Sequence, residues 1–315
     1  MKKSKKLPAP MSLIEFSQKY GSEEQCREHL FEKRFSNGFI CPKCGHDHGT
    51  KIITRLLMQC SKCHFQVSVT SGTVMSDTKM PIQKWYFTIY LITSSKRGMS
   101  AKELQRQIKV TYKTAWYVNK RVREAMAQAE SKYKLSGEVT IDDAFFSGRK
   151  GGENTGDKPK KRGRGSNKSK VIVAVSLDGN KNPQYAKMRV VDDFKAKTVK
   201  NFAQDSISKD ATVVTDGFKA YKAQNLKEDF FHEFENFDKT NDNSPLKWLH
   251  IVISNAKAFI NGTFHGLERD ELQSYLNEFC YRFNRRHMPQ LVFDKLLASA
   301  LLTKPIAYYS AVVMG

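Results

Sequence analysis

The sequence predicts a mixed α/β protein with several domains, and three observations support that fold class. Two C-x-x-C pairs with short polar turns occupy residues 39–69, and helical patterns follow over residues 82–132. A run of strand-like segments begins at Glu138, and a helix, a further strand and more helices come after it. At 315 residues the chain is long enough for two or three units, and it contains no internal repeat.

The charge balance predicts a polyanionic partner. Lys and Arg total 53 against 32 Asp and Glu, which gives a net charge of +21. Anionic lipid is disfavoured because the chain has no apolar anchor, and WYFTIYLIT at residues 85–93 is too short to span a bilayer and is predicted to be a core helix. The basic start MKKSKKLPAP lacks an apolar signal core. We therefore expect a cytoplasmic, nucleoid-associated protein with no membrane partner.

Residues 1–35 are predicted to be a basic tail and a helical lead-in, and residues 36–70 a zinc ribbon. Cys41-Pro-Lys-Cys44 and Cys60-Ser-Lys-Cys63 are two knuckles separated by fifteen residues, a spacing typical of a structural zinc site with four thiolates. Disulfides or a redox pair fit a cytosolic chain less well. The remaining thiols, Cys26 and Cys280, are expected in the core. Three histidines near the knuckles are expected not to bind the zinc: His46, His48 and His64.

Residues 80–132 are predicted to be helical and to contain a helix-turn-helix. The first helix would cover residues 100–107, with a break at residues 108–110 and a second helix over residues 111–126. The side chains expected to face DNA are Lys113, Thr114, Tyr117, Lys120, Arg121 and Arg123. An ordinary basic helical hairpin is the alternative.

Two aspartates end strand-like runs in the second half of the chain. Asp142 lies in VTIDD and Asp216 in VVTDG, and between them lies a Gly- and Lys-rich segment, residues 147–170, predicted to be a mobile basic loop. Adjacent strand ends would bring the two carboxylates together as ligands of Mg²⁺ or Mn²⁺ in a phosphoryl-transfer site. Asp216 followed by Gly217 also suits a plain turn. Asp143 points to the other face of its strand, so only one member of the pair can reach the site.

The stretch LKWLHIVISNAKAFINGTF, residues 246–264, reads as a helix without a carboxylate. His250 and Lys257 share one face of that helix, while Asn255 falls among apolar residues, where it would be buried or would supply an oxygen ligand. Magnesium accepts an amide oxygen, whereas imidazole is better tolerated by manganese. Lys257 could bind a DNA phosphate or be a surface lysine.

Taken in order, six segments resemble the prokaryotic insertion-sequence transposases with an N-terminal zinc ribbon and a ribonuclease H-like catalytic domain. They are SEEQCREHLFEKRFSNGFICPKCG, the second knuckle, VTIDDAFFSG, VVTDGFKAY, GTFHG and YLNEFCYRFNRR. The resemblance implies a mixed sheet flanked by helices over residues 136–295, followed by a tail at residues 296–315. It also implies that Asp142 and Asp216 are the first two acidic ligands.

Members of that family usually carry a glutamate seven residues before a lysine and twelve before the glycine of the GTFHG-like motif. Here those positions hold His250, Lys257 and Gly262. The register with the family therefore favours His250 as the variant third residue, while metal chemistry alone favours Asn255.

The resemblance implies a transposase that binds the terminal inverted repeats of its element, cuts their strands with a divalent metal and transfers the 3′-hydroxyl end to target DNA. Joining two ends implies a homodimer or a larger assembly. Two rivals stay open. One is a DNA-binding regulator whose nuclease-like domain has lapsed, because the third carboxylate is missing. The other is a host nuclease unrelated to mobility.

Overall fold

The structure is a computed structural model that describes residues 9–146, 168–216, 230–234, 245–265 and 267–305. The chain forms two compact units. The first contains residues 9–128 and 287–305, and the second contains the described residues between 129 and 286. The predicted basic loop falls almost entirely outside the described residues, as do the basic tail at residues 1–8 and the GFKAY part of one motif.

The first unit is built from helices and one small sheet. Its elements are α1 (Leu13–Tyr20), α2 (Glu23–Phe35), β1 (Gly49–Ile52), β2 (Leu57–Cys60), β3 (Gln66–Ser68), α3 (Ile82–Ser94), α4 (Ala101–Ile108), the larger part of α5 (Tyr112–Ser131), a short 3₁₀ turn (Pro289–Leu291) and a last helix, Val292–Leu302. Ser12 and Ser22 begin α1 and α2 with capping boxes, in which the serine hydroxyl and the side chain three residues later satisfy each other's backbone N–H groups.

The last helix differs from the tail predicted at residues 296–315. Residues 296–302 are helical and pack against α2 and α3, with Leu296 and Leu297 fully buried. Phe293 contributes to an aromatic cluster with Phe16 and Tyr20. This helix therefore belongs to the core of the first unit, where its apolar face is buried.

The second unit contains a five-stranded mixed sheet in the order β6-β5-β4-β7-β8. Its strands are β4 (Glu138–Phe146), β5 (Ser169–Leu177), β6 (Pro183–Val191), β7 (Thr212–Thr215) and β8 (Phe231–Phe234). β4, β5 and β6 run antiparallel to one another, whereas β7 is parallel to both β4 and β8. The predicted mixed α/β architecture is confirmed. β8 has no counterpart in the prediction, which described the chain after β7 as mostly helical.

Helices cover both faces of this sheet. On one face, α6 (Ala196–Ser206) packs in a cluster with Val139 and Ile141 of β4. On the other face, α7 (Pro245–Thr263) and α8 (Leu272–Phe283) pack in a cluster with Ala144 and Phe146. Alternation along β4 therefore assigns every residue of the strand to one face or the other. No helix among the described residues is long and apolar enough to cross a membrane.

β6 is an edge strand of the sheet, and side chains from α8 and from the turn after it cover its outer edge. Gln273 accepts from the Val190 N–H at 2.7 Å and donates to the Met188 carbonyl at 3.0 Å. Asn284 brackets Ala186 in the same way, at 2.7 Å and 3.0 Å. The backbone groups that would invite another strand to pair are thus satisfied within the unit, and the YLNEFCYRFNRR segment supplies Asn284 for this structural task.

Candidate active site and zinc centre

The four predicted zinc ligands come together in the first unit. The ligand atoms of Cys41, Cys44, Cys60 and Cys63 all lie within 4.8 Å of one another. The Sγ atoms of Cys41 and Cys63 are 3.6 Å apart, as are those of Cys44 and Cys60. A disulfide needs about 2.05 Å, whereas tetrahedral thiolates about 2.3 Å from a zinc ion are about 3.8 Å apart. The sulfur positions therefore fit a zinc ion and exclude a disulfide.

The two knuckles share one turn geometry. In the first, Gly45 has φ +72° and its N–H donates to the Cys41 carbonyl at 2.9 Å. In the second, His64 has φ +57° and its N–H donates to the Cys60 carbonyl at 3.0 Å. Each turn aims its two sulfurs to one side by bending the chain just after the second cysteine. His64 is thus a turn residue in a left-handed conformation that glycine would adopt more easily.

Two helices, α4 and α5, occupy the positions predicted for the helix-turn-helix. Lys109 ends α4 in the left-handed conformation, and the Thr111 hydroxyl accepts from the Thr114 N–H at 3.2 Å to begin α5. Six apolar residues of α4 and α5 have the helical spacing of a small core, and five of them are buried: Leu104, Ile108, Ala115, Val118 and Val122. The sixth, Ala101, is half-buried.

Three of the side chains expected to face DNA are buried, so that part of the prediction is wrong. Arg121 is 2 % exposed, and its guanidinium donates to the backbone carbonyls of Val74 and Ser76. Tyr117 and Arg123 are also buried. Among the others, Lys113 is exposed, while Thr114 and Lys120 are half-buried. The outer surface of α5 therefore presents fewer cations than its sequence indicates, because the Arg121 side chain is buried and hydrogen-bonded within the first unit.

In the second unit, Asp142 and Asp216 come together as the strand order predicts. The last described pair between the parallel strands β4 and β7 joins Ile141 to Thr215, so the next residues along both strands are Asp142 and Asp216. Asp142 alternates with Ala144 and Phe146 and so lies on the face covered by α7. Asp143 lies on the opposite face beside Ile172, so Asp142 is the member of the pair that shares a face with α7.

His250 on α7 faces these carboxylates. Its Nδ1 is 3.9 Å from Oδ2 of Asp142, and its side chain is 40 % exposed while that of Asp142 is 14 % exposed. Burial lowers the pKa of His250 below its usual value, the Asp216 carboxylate raises it, and Lys257 lowers it. The net shift is downward, so the imidazole is neutral at pH 7 and its ring nitrogens can act as ligands.

Lys257 lies two turns further along α7, on the same side. Burial lowers the pKa of its ammonium, Lys168 at the start of β5 lowers it further, and Asp142 raises it. Its Nζ is 5.8 Å from the centre of the Phe146 ring. Lys257 therefore lies within electrostatic reach of Lys168 and Asp142, and two neighbouring ammonium groups suit the binding of a phosphate. Lys168 was not identified from the sequence, because its position at the start of β5 carries no motif.

Asn255 does not reach this site. It is exposed, and so is Ile251 one turn before it, whereas Val252, Ala256 and Phe259 are buried. The expectation that Asn255 lies among buried apolar residues is therefore wrong. The buried stripe of α7 runs through residues 249, 252, 253, 256, 259 and 260, and position 255 falls on its solvent side.

Two further polar residues lie next to Asp216. Thr215 is fully buried, and His232 on β8 lies with its Nε2 2.9 Å from the Thr215 Oγ1. Sequence reasoning passed over both. The only signal was the alternation in FHEF, which is too short to indicate a strand by itself.

The fold and these two sites define a class of protein. Residues 134–284 match the family described as ISXO2-like transposase domain, and residues 21–66 match the transposase zinc-ribbon domain. The chain is an insertion-sequence transposase that joins an N-terminal zinc ribbon to an ISXO2-like transposase domain, and the predicted resemblance is confirmed.

Among known proteins, the chain is similar to an uncharacterized protein in transposable element ISH50 of Halobacterium salinarum. The two are 26 % identical over 281 residues, which cover 83 % of this chain and 90 % of the relative. The solved structures that match include the Mos1 mariner paired end complex with Mn, at 13 % identity, a TM-score of 0.29, 67 % of this chain and 77 % of that chain. The Mos1 Strand Transfer Complex matches at 14 % identity, with a TM-score of 0.26 and coverage of 68 % and 78 %. With TM-scores this low, neither structure informs the chemistry of the site.

Proposed function

We propose that this transposase binds the terminal inverted repeats of its own element, cuts the element ends and joins the resulting 3′-hydroxyl to target DNA. The observation that carries the proposal is the strand register of the second unit. It sets Asp142 next to Asp216 at adjacent positions of parallel strands, on the face where α7 presents His250 and Lys257. Acidic groups converging from separate elements beside cationic side chains are typical of phosphoryl transfer.

The residues present fit a divalent cation. Asp142 and Asp216 would hold it through carboxylate oxygens and His250 through an imidazole nitrogen, a mixed donor set that suits Mn²⁺ better than Mg²⁺. When bound, such a cation activates a water or hydroxyl nucleophile and stabilises the leaving oxygen. The burial of Asp142 supports this assignment, since a carboxylate on a buried strand is costly without a compensating positive charge.

The chain's own side chains would do the rest. Lys257 would bind a phosphate oxygen beside the scissile bond, and Lys168 would bind a neighbouring phosphate of the same strand. Together these groups would position the DNA backbone against the two carboxylates and exclude part of the surrounding water.

Recognition of the element ends would fall to the zinc ribbon and to the outer surface of α5. On that surface Lys113 is exposed, and Thr114 and Lys120 are accessible in part. Lys113→Ala should weaken binding to end DNA and lower the slope of log K against log salt by about one, because each phosphate contact releases about one counterion. Joining two ends to a target would require at least two copies of the chain bound to DNA. In the cell, that DNA would be the nucleoid.

The decisive test compares two neighbouring aspartates in a cleavage assay on DNA that carries the element's terminal repeats. Asp142→Asn should lower metal-dependent end cleavage by at least about 10³-fold while end binding stays intact. Asp143→Asn, which changes the same charge on the opposite face of β4, should stay within about threefold of wild type. Equal activity of wild type and Asp142→Asn would sink the proposal.

A second candidate is a DNA-binding regulator with a lapsed catalytic domain. It is favoured by the composition of α7, where the position expected to carry a glutamate holds His250 and the stretch 246–264 contains no carboxylate. Wild-type protein that binds the end repeats, yet cuts them with neither Mg²⁺ nor Mn²⁺, would establish this rival.

A further inference from the structure

The two aspartates of the site are held in different ways. Asp142 lies inside the β4–β5 ladder, where it pairs with Val173 and has paired residues on both sides. Asp216 follows the last described pairs of β7, which join Thr215 to Ile141 on one side and to Phe234 on the other. Strand pairing therefore fixes the backbone of Asp142, whereas the backbone of Asp216 also receives support from a side chain.

That support is a short chain of hydrogen bonds under the end of β7. The Thr215 hydroxyl donates to the Asp216 backbone carbonyl at 3.1 Å. Because this hydroxyl uses its one proton on the carbonyl, it must accept from His232, whose Nε2 is 2.9 Å away. The direction of the chain is thus His232 N–H to Thr215 O–H to the carbonyl of Asp216, and it requires the His232 tautomer with the proton on Nε2.

The pleat of the sheet sets where this chain lies. Thr215 alternates with Val213, which belongs to the core on the α6 face, and His232 is the strand partner of Val213. Asp216, one residue after Thr215, points to the opposite face, where α7 lies. Thr215 is completely buried, so water cannot replace His232 as its donor. The Asp216 carbonyl is therefore held from the α6 face of the sheet, while its carboxylate points to the α7 face.

We infer that Thr215 and His232 are positioning residues. By holding the backbone carbonyl of Asp216, they would fix its carboxylate for metal binding. The inference rests on the proposed function, in which Asp216 is a metal ligand. Residues that orient a ligand from behind typically change metal affinity about 10–100-fold when they are removed. The same substitutions should leave the direct ligands themselves unaltered.

The test measures Mn²⁺ binding directly, by electron paramagnetic resonance of free Mn²⁺ on the full-length, zinc-loaded protein. Thr215→Val keeps the shape of the side chain and removes the hydroxyl, and it should raise the half-saturating Mn²⁺ concentration about tenfold. Thr215→Ser keeps the hydroxyl and should stay within about threefold of wild type. His232→Leu should reproduce Thr215→Val from the other end of the chain, and the double variant should add little to either single change.

Thermal unfolding of the same variants separates positioning from folding. Lower melting temperatures with an unchanged half-saturating Mn²⁺ concentration would overturn the inference and assign the chain of hydrogen bonds to stability alone. If Asp142→Asn and Asp216→Asn lose Mn²⁺ binding while Thr215→Val and His232→Leu keep it, only the positioning role fails. If wild type binds no Mn²⁺ and cuts no end DNA, the proposed function fails and the inference fails with it.

Discussion

The zinc ribbon and the acidic site are built in opposite ways. The ribbon draws its four sulfurs from two local turns, one before β1 and one between β2 and β3, and all four ligand atoms lie within 4.8 Å of one another. The acidic site draws Asp142 from the middle of β4, Asp216 from the end of β7 and His250 from α7. Among the described residues, these three do not form a group as tight as the cysteines.

The difference shows what each site depends on. Without a metal the four cysteines lose the ligand that joins the two knuckles, so we expect the ribbon to need its zinc ion in order to fold. The proposed acidic site lies on a sheet with apolar clusters on both faces, so we expect the second unit to fold without a metal. We expect metal removal to affect the structure of the first site and only the chemistry of the second.

The largest effect should follow removal of zinc. Stripping the protein with a strong chelator, or replacing Cys60 in a Cys60→Ser variant, should unfold residues 36–70, because structural zinc contributes about 10–16 kcal/mol of binding free energy to the folding of such modules. Hydrogen exchange read by mass spectrometry should show loss of protection in β1, β2 and β3. The strands β4 and β5 should keep theirs.

A matched control is Cys26→Ser. Cys26 is buried in α2, burial raises the pKa of its thiol to about 12, and it lies outside the four-sulfur cluster. Its replacement should leave the ribbon protected. Persistent protection of the ribbon strands after complete zinc removal would contradict the proposed difference between the two sites, because both would then fold without a metal.

The next effect concerns the third ligand. His250→Ala should lower end cleavage about 10–100-fold in Mn²⁺, as expected for the loss of one ligand from a mixed donor set. His250→Glu should shift the preference toward Mg²⁺, because magnesium favours oxygen ligands. Asn255→Ala is the control on the same helix and should leave the rate unchanged, since Asn255 is exposed. A loss confined to Asn255→Ala would move the third ligand to that residue.

Cleavage should also depend on pH through His250. Only the neutral imidazole can bind a metal, and the pKa of His250 in the folded protein lies below its usual value of about 6.5. Activity should therefore fall as the pH drops through the lowered pKa of folded His250. Between that pKa and the usual value the unfolded chain binds more protons than the folded chain, so the contribution of His250 to stability should fall as the pH drops below about 6.5. Rates in Mn²⁺ from pH 5 to 8 test this. The acid limb should move to lower pH in His250→Glu, because a glutamate ordinarily titrates near 4.3.

The contrast between the sites also explains what the sequence could predict. The zinc ligands follow from spacing alone, because each knuckle is a local turn whose residue count fixes its geometry. Asp142 and Asp216 could be paired by following the order of strands. To choose between Asp142 and Asp143, one must know which face of the sheet α7 covers. The covered face depends on the packing of the whole second unit.

Other features were beyond sequence patterns. Arg121 reads as a DNA-facing cation, yet its guanidinium is buried against two backbone carbonyls of a loop more than forty residues earlier, a contact that no local pattern reveals. His232 lies on β8, a strand of four residues recognised only by its pairing with β7. Asn255 was misplaced because the buried stripe of α7 is narrower than its apolar composition indicates.

The smallest effect tests whether the ribbon is set by its local turns. His64 and Gly45 occupy the same place in the two knuckles, both with positive φ, and a non-glycine residue pays for that conformation. His64→Gly should tighten zinc binding by about 0.5–1 kcal/mol, or about 2–5-fold in chelator competition, after allowing for the extra flexibility of glycine in the unfolded chain. Gly45→Ala should weaken it by a similar factor; no atom lies within 4 Å of the added Cβ, so the loss would come from the backbone alone. If both variants bind zinc as wild type does, the turns do not set the cluster, and the ribbon depends on its surroundings as the acidic site does.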